Sequence, residues 1–461
     1  MTEVNAAKEI MKVIEDKGYE VYIVGGYVRD KIMNIDSDDV DISTNMPMDE
    51  MEKIFTTYNI GESKDFGIVI VKHEGFDFEV AQFRTDIYEG KFGTGAESTE
   101  ITNSFEADTA RRDFTINSMG MTAGGSIVDF HGGKEDMKNG IIRAVGNPDE
   151  RFSEDYIRIF RAIRFAARMD FEIEKETYEA IKKWSKRSVN IAGERIKKEF
   201  YKMASTDGKT FANSIDMMVD TGIMDIIIPE FTRMFGYEQS KVHHPEGCVG
   251  THVMCAVRAS TSTDPVVNMG IMFHDIGKPD SYIKKIDGDI TKHTYYSHEV
   301  IGVPIWENIA RRFNFSRADM DKISAAIAGH MKFHMINVMK QSKVKAIIDN
   351  PHFDFIKEVS FADASSKGSN WDREDWNTRM ERIEKIKNNN ISKEDFKQVV
   401  SGKMVMFWMG IKQGNAEVGE IIKKSYEWAN NNNVTDVEAI RRQARSMVAI
   451  QKKRGEKDEI K

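Results

Sequence analysis

Two aspartates, Asp39 and Asp41, stand one residue apart in the segment DDVDIST, where Val40 and Ile42 alternate with them. In a strand, this alternation puts both carboxylates on one face and both apolar side chains on the other. Like charges so close are costly unless a cation lies between them, and oxygen ligands suit Mg²⁺. Glu79, on the polar face of the later strand FDFEVAQF, can supply a third carboxylate. The pattern predicts catalytic Asp39, Asp41 and Glu79 around Mg²⁺ for phosphoryl chemistry, although a solvated acidic strand face would give the same pattern.

A glycine pair upstream of the aspartates can bring backbone close to phosphate. Gly25 and Gly26 follow the strand segment YIV and precede the helical segment YVRDKIM, which carries Arg29. Backbone N–H groups at such a turn can approach a triphosphate, and Arg29 adds positive charge. The pair lacks the third glycine of a dinucleotide-binding fingerprint, so alone it indicates only a tight turn.

Six segments in a fixed order carry a resemblance to a known family. They are IVGGYVRD, DDVDIST, FEVAQFRTD, RRDFTINSM, DFHGG and EDYIRIFRAIRF. With them, residues 20 to 205 resemble the class II tRNA nucleotidyltransferases and their poly(A) polymerase relatives, of the polymerase β-like superfamily. The resemblance implies that Asp39 and Asp41 bind the catalytic metal. It also implies nucleotide contacts for Arg112, Asp113, Asn117, Arg161 and Arg164.

The same resemblance makes Asp155 and Arg158 the readers of the incoming base, three residues apart on a predicted helix capped by Ser153. Cytosine and adenine both present an amino donor beside a ring-nitrogen acceptor, which a carboxylate and a guanidinium can pair. Uracil and guanine present the reverse order and would leave buried groups unpaired, at about 1–3 kcal/mol each. Without the family pattern, a helix-surface ion pair explains the two residues as well.

Two further segments of the family region are less specific. Residues 88 to 108 contain many Gly, Ser, Thr and acidic residues and look too long for a simple hairpin link, so we expect a mobile loop. In GERIKKEFYKM, Glu194, Arg195 and Glu199 match the family, and we expect them to be structural.

A second constellation is rich in histidine. The segments HHPEGCVGTHVM, FHDIGK, SHEVIG, GHMKFH and FADASS supply six predicted metal ligands, namely His252, His274, Asp275, His298, His330 and Asp363. The adjacent pair His274-Asp275 resembles the HD phosphohydrolase superfamily, and Asp275 can bridge two cations. A mixed N/O set suits a divalent metal such as Mg, Mn, Ni or Fe. We expect His243, His244, His293, His334 and His352 not to be ligands.

The composition of the chain indicates where the protein is located and which partners it has. The chain has 461 residues, 40% of them hydrophobic, a formal net charge of −8 and two cysteines, and it contains no long apolar run. These features predict a cytoplasmic protein without a membrane partner or disulfide framework. The acidic balance does not exclude RNA binding, because residues 182 to 202 are locally basic.

The two resemblances imply an α+β N-terminal polymerase β-like nucleotidyltransferase head, then a predominantly α-helical body, an HD domain and a tail. The predicted boundaries are 1–150, 151–235, 236–370 and 371–461. The predicted activity is addition of C, C and A to tRNA from CTP and ATP, with a phosphohydrolase activity of the HD domain. A poly(A) polymerase, a partial CC- or A-adding enzyme, a hydrolase acting on RNA ends or nucleotides and a non-catalytic RNA-binding module are the alternatives. Monomer and dimer both stay open.

Overall fold

The computed structural model describes residues 2–37, 39–58, 66–88, 93–240, 244–287, 290–389, 393–432 and 434–458. The chain divides into two compact units. The N-terminal unit comprises Met1–Tyr237, Val257–Met269 and Glu307–Asp319, and the C-terminal unit comprises Glu238–Ala256, Gly270–Trp306 and Met320–Lys461. The division into four predicted domains stays a prediction.

A mixed sheet forms the core of the N-terminal unit. Its strands and the short strands beside it are β1 Val21–Val24, β2 Asp41–Thr44, β3 Thr56–Tyr58, β4 Ile68–His73, β5 Phe76–Gln82, β6 Arg84–Ile87, β7 Ser98–Ile101, β8 Met119–Met121, β9 Ile127–Asp129, β10 Ile141–Ile142 and β11 Glu172–Ile173. The main sheet has the order β3-β4-β5-β2-β1-β8-β9. Strand β2 is antiparallel to β1 and parallel to β5, which puts Asp41 opposite Val24 and Ile42 opposite Val80. The sheet thus brings the two predicted acidic strands side by side.

Helices cover this sheet and continue the unit. They are α1 Glu3–Asp16, α2 Gly26–Ile32, α3 Met48–Ile54, α4 Phe105–Ala110, α5 Gly133–Asn139, α6 Pro148–Glu154, α7 Ile157–Met169, α8 Lys175–Trp184, α9 Gly193–Ala204, α10 Gly208–Asp220, α11 Ile223–Ile227 and α12 Pro229–Thr232. Helix α1 packs on β1, β4 and β5 through the stripe Ala7, Ile10, Met11 and Ile14. The head and helical body therefore have the expected α+β and α-helical character.

The predicted helix that starts at Phe152 is wrong in one respect. Asn147, not Ser153, caps α6, because its side chain accepts a hydrogen bond from the Asp149 amide. The chain then leaves helical geometry at Asp155 (φ −148°, ψ 108°), and α7 begins two residues later. Asp155 and Arg158 therefore do not lie on one continuous helix. The helical periodicity continues on both sides of the break, so the sequence pattern does not reveal it.

The loop expected at residues 88–108 is wrong where the chain forms β7 and the start of α4. Strands β6 and β7 pair in an antiparallel hairpin, with Arg84 opposite Ile101. Ser104 then caps α4 by accepting a hydrogen bond from the Ala107 amide. Residues 89–92 lie outside the described residues.

The C-terminal unit is mainly helical. The helices from residue 249 onward are α13 Val249–Ala259, α14 Pro265–Phe273, α15 Lys278–Ser281, α16 His298–Arg312, α17 Arg317–His334, α18 Gln341–Ile348, α19 Phe353–Ser365, α20 Arg373–Asn389, α21 Lys393–Val399, α22 Gly402–Met409, α23 Ala416–Asn431 and α24 Val437–Asp458. An antiparallel hairpin of β12 Tyr282–Asp287 and β13 Ile290–Tyr295 departs from the predicted helical pattern. The tail has its own apolar core, in which Phe396, Val405, Ile421 and Ile440 are buried.

Two broader expectations concern membranes and cysteines. Among the described residues, no helix combines the length and apolar character needed to cross a membrane. Neither Cys248 nor Cys255 takes part in a disulfide. The cytoplasmic location stays a prediction.

Candidate active site and candidate metal centre

A cleft of about 780 Å³ in the N-terminal unit collects every residue predicted for nucleotide chemistry. These residues come from β5, from the end of β1 and the start of β2, from α2, from the segment between α4 and β8, and from α7 and the residues just before it. They are Gly25, Gly26, Arg29, Asp39, Asp41, Glu79, Arg112, Asp113, Asn117, Asp155, Arg158, Arg161 and Arg164. The sheet order explains the grouping, since residues far apart in sequence meet at one edge of neighbouring strands.

The acidic part of the cleft centres on Asp41, the first residue of β2. Burial raises the pKa of Asp41 to about 7, and the negative charges of Asp39 and Glu79 contribute to this rise. A carboxylate so disfavoured in its ionised form is stabilised by a bound cation. Among the described residues, these three carboxylates do not form a group whose oxygens all lie within 4.8 Å of one another. The donor set fits a divalent ion such as Mg²⁺, which is commonly held by one or two carboxylates together with substrate phosphates.

The glycine turn lies against this carboxylate. Gly25 has φ +73°, and a Cβ built there would lie 3.5 Å from Asp41 Oδ2. The glycine therefore permits both the left-handed backbone and a close approach of main chain to the acidic group. Arg29, on α2, donates to Asn117 Oδ1 at 2.9 Å. The turn and the segment after α4 thus meet at the same wall of the cleft.

The side chains of Asp155 and Arg158 are not paired with each other in this structure. Asp155 Oδ2 accepts a hydrogen bond from Arg195 Nη2 at 2.7 Å. The Arg158 guanidinium is paired with Glu154, and it donates to the carbonyl oxygens of Arg151 and Arg111 at 3.0 Å each. Each predicted base reader is therefore held in place by a different partner.

Asp113 is buried at the back of the cleft and positions two other side chains. It accepts from Arg161 Nε at 2.7 Å and from Asn117 Nδ2 at 3.2 Å. Burial would raise the pKa of Asp113, but the Arg161 charge and hydrogen bond hold it below its usual value. Asp113 therefore orients a guanidinium and an amide, which can then face a nucleotide.

Several cleft residues were not predicted as site residues. The unpredicted basic ones are Arg84, Arg111, Arg168, Arg195, Lys198 and Lys202. Arg195, Lys198 and Lys202 lie at spacings of three and four on α9, so they share one helix face. The sequence shows this basic run, but a structural role was expected for Arg195 and Glu199. Glu199 accepts from Arg164 Nε at 2.6 Å, and Arg195 contacts Asp155, so both take part in the cleft.

In the C-terminal unit, four buried histidines are oriented in the same way. In each ring, the Nδ1 atom lies within hydrogen-bond distance of a protein acceptor. The acceptors are Glu246 Oε1 for His252 (2.6 Å), Ile271 O for His274 (2.7 Å), Tyr295 O for His298 (2.8 Å) and Ile327 O for His330 (2.9 Å). Because these acceptors require a proton on Nδ1, each neutral ring offers a lone pair on Nε2. This is the arrangement that metal-binding histidines need.

The Nε2 atoms converge on two buried aspartates. His252 Nε2 lies 3.0 Å from Asp363 Oδ1, His274 Nε2 lies 3.2 Å from Asp275 Oδ2, and His298 Nε2 lies 3.2 Å from Asp275 Oδ1. The ligand atoms form two groups, His252-His274-Asp275 and Asp275-His298-His330, each with all atoms within 4.8 Å. Asp275 belongs to both groups. The six predicted ligands are thus together, in an arrangement that fits two cations bridged by Asp275.

Charge and hydrogen bonding at this cluster also fit a cation. His274 Nε2 has no hydrogen-bond partner among the described residues although the ring is fully buried. Burial alone would lower the pKa of His274, but the Asp275 charge raises it. Burial would raise the pKa of Asp275, whereas Lys278 and His274 hold it well below its usual range. The aspartate therefore stays ionised and can bind a metal at neutral pH.

Further residues surround the cluster, although the sequence pattern did not predict them as part of it. Lys278 Nζ lies 2.6 Å from Asp275 Oδ2, and His334 Nε2 lies 2.7 Å from Asp363 Oδ2. Burial would raise the pKa of Glu246, but the hydrogen bond from His252 and others lower it to about 2. His244, expected not to be a ligand, lies 3.0 Å from Glu246, and burial lowers its pKa to about 4. His243 lies outside the described residues.

Family models match three parts of the chain. The Poly A polymerase head domain matches residues 21–143, the probable RNA- and SrmB-binding site of polymerase A matches residues 170–235, and the HD domain matches residues 253–354. The head is therefore that of a poly(A) polymerase-type nucleotidyltransferase, with a divalent-metal-dependent chemistry. The three matches follow one another along the chain in the order head domain, RNA-binding segment and HD domain.

Individual relatives agree with the family models. A CCA-adding enzyme of Ligilactobacillus salivarius is 39% identical over 219 residues, which are 48% of this chain and 53% of the relative. The CCA-adding enzyme of Enterococcus faecalis is 41% identical over 202 residues, which are 44% of this chain and 49% of the relative. The chain spans about half the length of the curated relatives it matches.

Solved structures share the fold over almost the whole chain. The crystal structure of the Bacillus stearothermophilus CCA-adding enzyme in complex with CTP has a TM-score of 0.68 at 21% identity, covering 99% of this chain and 100% of that one. The Thermotoga maritima CCA-adding enzyme complexed with tRNA_CCA has a TM-score of 0.60 at 19% identity, covering 97% and 95%. The predicted fold class, a nucleotidyltransferase head followed by a helical body and HD domain, is confirmed.

Proposed function

We propose that the chain adds C, C and A to the 3' end of tRNA from CTP and ATP without a nucleic-acid template. The cleft that joins Asp39 and Asp41 to the Asp155 and Arg158 segment is the observation that carries this proposal. In each step the terminal 3' oxygen attacks the α-phosphorus, the bond to the β-phosphate oxygen breaks and pyrophosphate leaves. Similar relatives described as CCA-adding enzymes support this reaction.

Asp39 and Asp41 would hold Mg²⁺, which when bound stabilises charge on the phosphates and lowers the pKa of the attacking hydroxyl. Glu79 is the third carboxylate, on the strand next to β2. The backbone of the Gly25-Gly26 turn and the Arg29 side chain face the phosphates. Arg112 and Arg161 add positive charge, and Asp113 keeps Arg161 in position. Positioning and electrostatic stabilisation then carry most of the catalysis.

Base selection rests on Asp155 and Arg158. Their carboxylate and guanidinium pair with the amino group and ring nitrogen that cytosine and adenine share. Arg195 holds the Asp155 carboxylate, while Glu154 holds Arg158 until a base arrives. Uracil and guanine would leave these buried groups unpaired, which disfavours them by about 1–3 kcal/mol per group.

One incubation tests the proposal. The protein, Mg²⁺ and tRNA lacking its last three nucleotides are supplied with labelled CTP and ATP, separately and together. We expect two C with CTP alone and three nucleotides in total with both. Long A tails would show that the chain is a poly(A) polymerase. An arrest after two C would indicate a CC-adding enzyme, and addition of A only to tRNA that already ends in CC would indicate an A-adding enzyme.

A matched pair of variants ties the activity to the cleft. Asp39→Asn should abolish addition. Asp77→Asn serves as the control, because Asp77 is an exposed carboxylate on β5 that accepts a hydrogen bond from Tyr58. Equal activity of the two variants would contradict the assignment of Asp39.

We propose a second activity, metal-dependent phosphohydrolysis, for the HD domain. The convergence of four Nε2 lone pairs on Asp275 and Asp363 carries it. Water attacks phosphorus, the phosphorus–oxygen bond to the ribose breaks and the released oxygen takes a proton. The HD centre would hold one or two ions among Mg, Mn, Ni and Fe, whose chemistry when bound is activation of water.

The test uses small substrates with 2',3'-cyclic or 2'-phosphorylated ribose and each divalent metal in turn. We expect release of phosphate, or opening of the cyclic ester, that Asp275→Asn abolishes and Asp39→Asn leaves intact. His293→Gln, on the hairpin, is the histidine control. Absence of hydrolysis with all four metals, in protein that binds no metal, would make the cluster structural.

A further inference from the structure

The hairpin of β12 and β13 interrupts the metal centre in sequence. It starts seven residues after Asp275 and ends three residues before His298, and both are predicted ligands. The carbonyl oxygen of its last residue, Tyr295, accepts the hydrogen bond from His298 Nδ1 at 2.8 Å. The hairpin is therefore joined directly to a residue that fixes a ligand ring.

One face of the hairpin makes contacts at the end nearest the metal centre. Tyr282 and Tyr295 are opposite each other in the register, and their rings are 5.5 Å apart. Lys278, the residue that contacts Asp275, places its ammonium 5.6 Å from the centre of the Tyr295 ring. His293 is bonded to Tyr282 at 2.9 Å. These contacts leave the opposite face for another role.

The opposite face carries Ile283, Lys285, Lys292 and Thr294, because cross-strand partners and alternate residues share a side of the hairpin. Lys285 and Lys292 are directly opposite each other, and both are exposed. Among the side chains that the structure describes, neither lysine has a carboxylate within 4 Å. Two like charges at one rung are destabilising, so an anion bound between them would relieve a built-in repulsion.

Exposed apolar groups accompany these charges. Ile283 is 44% exposed, and Tyr296, two residues before His298, is 67% exposed. An exposed aromatic ring on the same hairpin as paired lysines is a combination that can hold single-stranded nucleic acid, because bases stack on the ring and phosphates face the ammonium groups. At about 3.3 Å per residue, the lysine rung lies roughly 10 Å along the hairpin from the Tyr282-Tyr295 rung.

We propose that this face of the hairpin binds the single-stranded 3' end of RNA and delivers its terminal phosphate to the HD centre. Lys285 and Lys292 contact the backbone phosphates upstream of the end, and Tyr296 stacks on a base close to it. This inference rests on the proposed phosphohydrolase activity and names its substrate as an RNA end, not a free nucleotide.

The kinetic test compares two substrates in the full chain. One is 2',3'-cyclic AMP, which is too short to reach the hairpin lysines, and the other is a single-stranded oligonucleotide ending in a 2',3'-cyclic phosphate. The double variant Lys285→Glu with Lys292→Glu keeps two like charges at this cross-strand pair and reverses their sign. We expect kcat/KM to fall at least tenfold on the oligonucleotide and to stay within twofold on cyclic AMP. The slope of log kcat/KM against log salt should also flatten by about 1.4, from two lost phosphate contacts at about 0.7 each.

The charge-matched control is Lys12→Glu with Lys17→Glu, which replaces two exposed lysines near the start of the chain. It should leave both substrates unchanged. An equal loss on both substrates in the hairpin variant, or no loss on either, would overturn the hairpin proposal.

A binding experiment keeps this result separate from the fate of the proposed activity. An oligonucleotide with 4-thiouridine next to its 3'-phosphate is photocrosslinked to the full chain, and the modified peptide is identified by mass spectrometry. We expect a crosslink within 282–296 that the double Lys→Glu variant loses, whether or not the HD centre turns over. If the wild-type protein gives this crosslink but shows no hydrolysis, only the proposed hydrolase activity is refuted. If it hydrolyses RNA ends but gives no crosslink in the hairpin, the hairpin role is refuted.

Discussion

The Nε2 atoms of His298 and His330 lie 3.3 Å apart, while the Nδ1 atom of each ring is bonded to a backbone carbonyl. With both protons on Nδ1, two lone pairs face each other in a buried site. A proton shared between the two Nε2 atoms would also relieve this repulsion. Burial lowers the pKa of His330, however, and so disfavours that extra proton. His298, His330 and Asp275 would hold a divalent cation, which would remove this repulsion.

Added metal should therefore bind at the histidine cluster and stabilise the folded protein. The number of bound ions per chain can be measured. In an Asp41→Asn background, which weakens the head site, we expect up to two transition-metal ions per chain. At a free metal concentration of 100 times Kd, the gain is about 2.7 kcal/mol per site. Metal content after gel filtration and the thermal midpoint measure these effects.

His330→Gln should lose one of the two ions, and Asp275→Asn should lose both because Asp275 belongs to both ligand groups. His293→Gln should lose none. Retention of two ions by Asp275→Asn would contradict the bridging role.

The pH dependence of the metal-free head should follow Asp41. Its folded-state pKa is raised from 3.8 to about 7, so the folded protein keeps a proton that the unfolded chain releases between these values. Stability is therefore lost as pH rises from about 4 to about 7, and the full cost remains above that range. Asp41→Asn, which cannot ionise, should stabilise the metal-free protein by on the order of 1–3 kcal/mol more at pH 8 than at pH 5.

Denaturant unfolding in a chelator at the two pH values measures this difference. The exposed Asp77→Asn provides the comparison on a neighbouring strand. Adding Mg²⁺ at pH 8 should reverse the order, since wild type gains a bound ion and Asp41→Asn does not. An equal gain at both pH values would indicate that the substitution acts through packing and not through charge.

The sequence could predict those parts of the site in which residues of suitable chemistry stand close together in one short segment. Asp39 and Asp41 are one residue apart beside apolar neighbours, and His274 and Asp275 are adjacent, so short segments carry their signals. The ordered family motifs supplied the remaining nucleotide residues. The structure brings the predicted cleft residues together, and it also brings the six cluster residues together.

The parts that sequence could not predict depend on partners far away along the chain. Arg195 is 40 residues from Asp155, and nothing in its helical neighbourhood distinguishes it from a surface arginine. The break at Asp155 is fixed by backbone hydrogen bonds to Gly93 and Gly95, while apolar helical spacing runs through α6 and α7. The β12 and β13 hairpin lies within a long histidine-rich stretch that was assigned to helices.

The contact between Arg195 and Asp155 predicts a role in base discrimination. Arg195→Ala leaves the Asp155 carboxylate without the guanidinium that holds it, so the carboxylate should read the base less accurately. We expect the preference for CTP and ATP over UTP and GTP, as a ratio of kcat/KM values, to fall about tenfold, or about 1.4 kcal/mol. Steady-state incorporation with each nucleotide measures it.

Arg187→Ala is the matched control, since Arg187 is an exposed arginine in the turn after α8 and outside the cleft residues. It removes the same charge and should leave the ratio unchanged. A uniform fall in incorporation of all four nucleotides by Arg195→Ala would show that the residue supports the fold or the phosphates, not base choice.

Gly93 and Tyr156 should couple the β6 and β7 hairpin to the base-reading segment. Gly93 N donates to Glu154 O, and Tyr156 N donates to Gly93 O, each at 3.2 Å. A Cβ at Gly93 would overlap the Tyr156 ring, so Gly93→Ala must displace the chain next to Asp155. Gly75→Ala isolates this effect, because Gly75 has a similar φ of +84°, yet a Cβ there would meet none of the described atoms within 4 Å. Both variants incur left-handed backbone strain of about 1 kcal/mol, but only Gly93→Ala should lower CTP and ATP incorporation about tenfold. Equal incorporation by the two folded variants would mean that the segment reads bases independently of the hairpin.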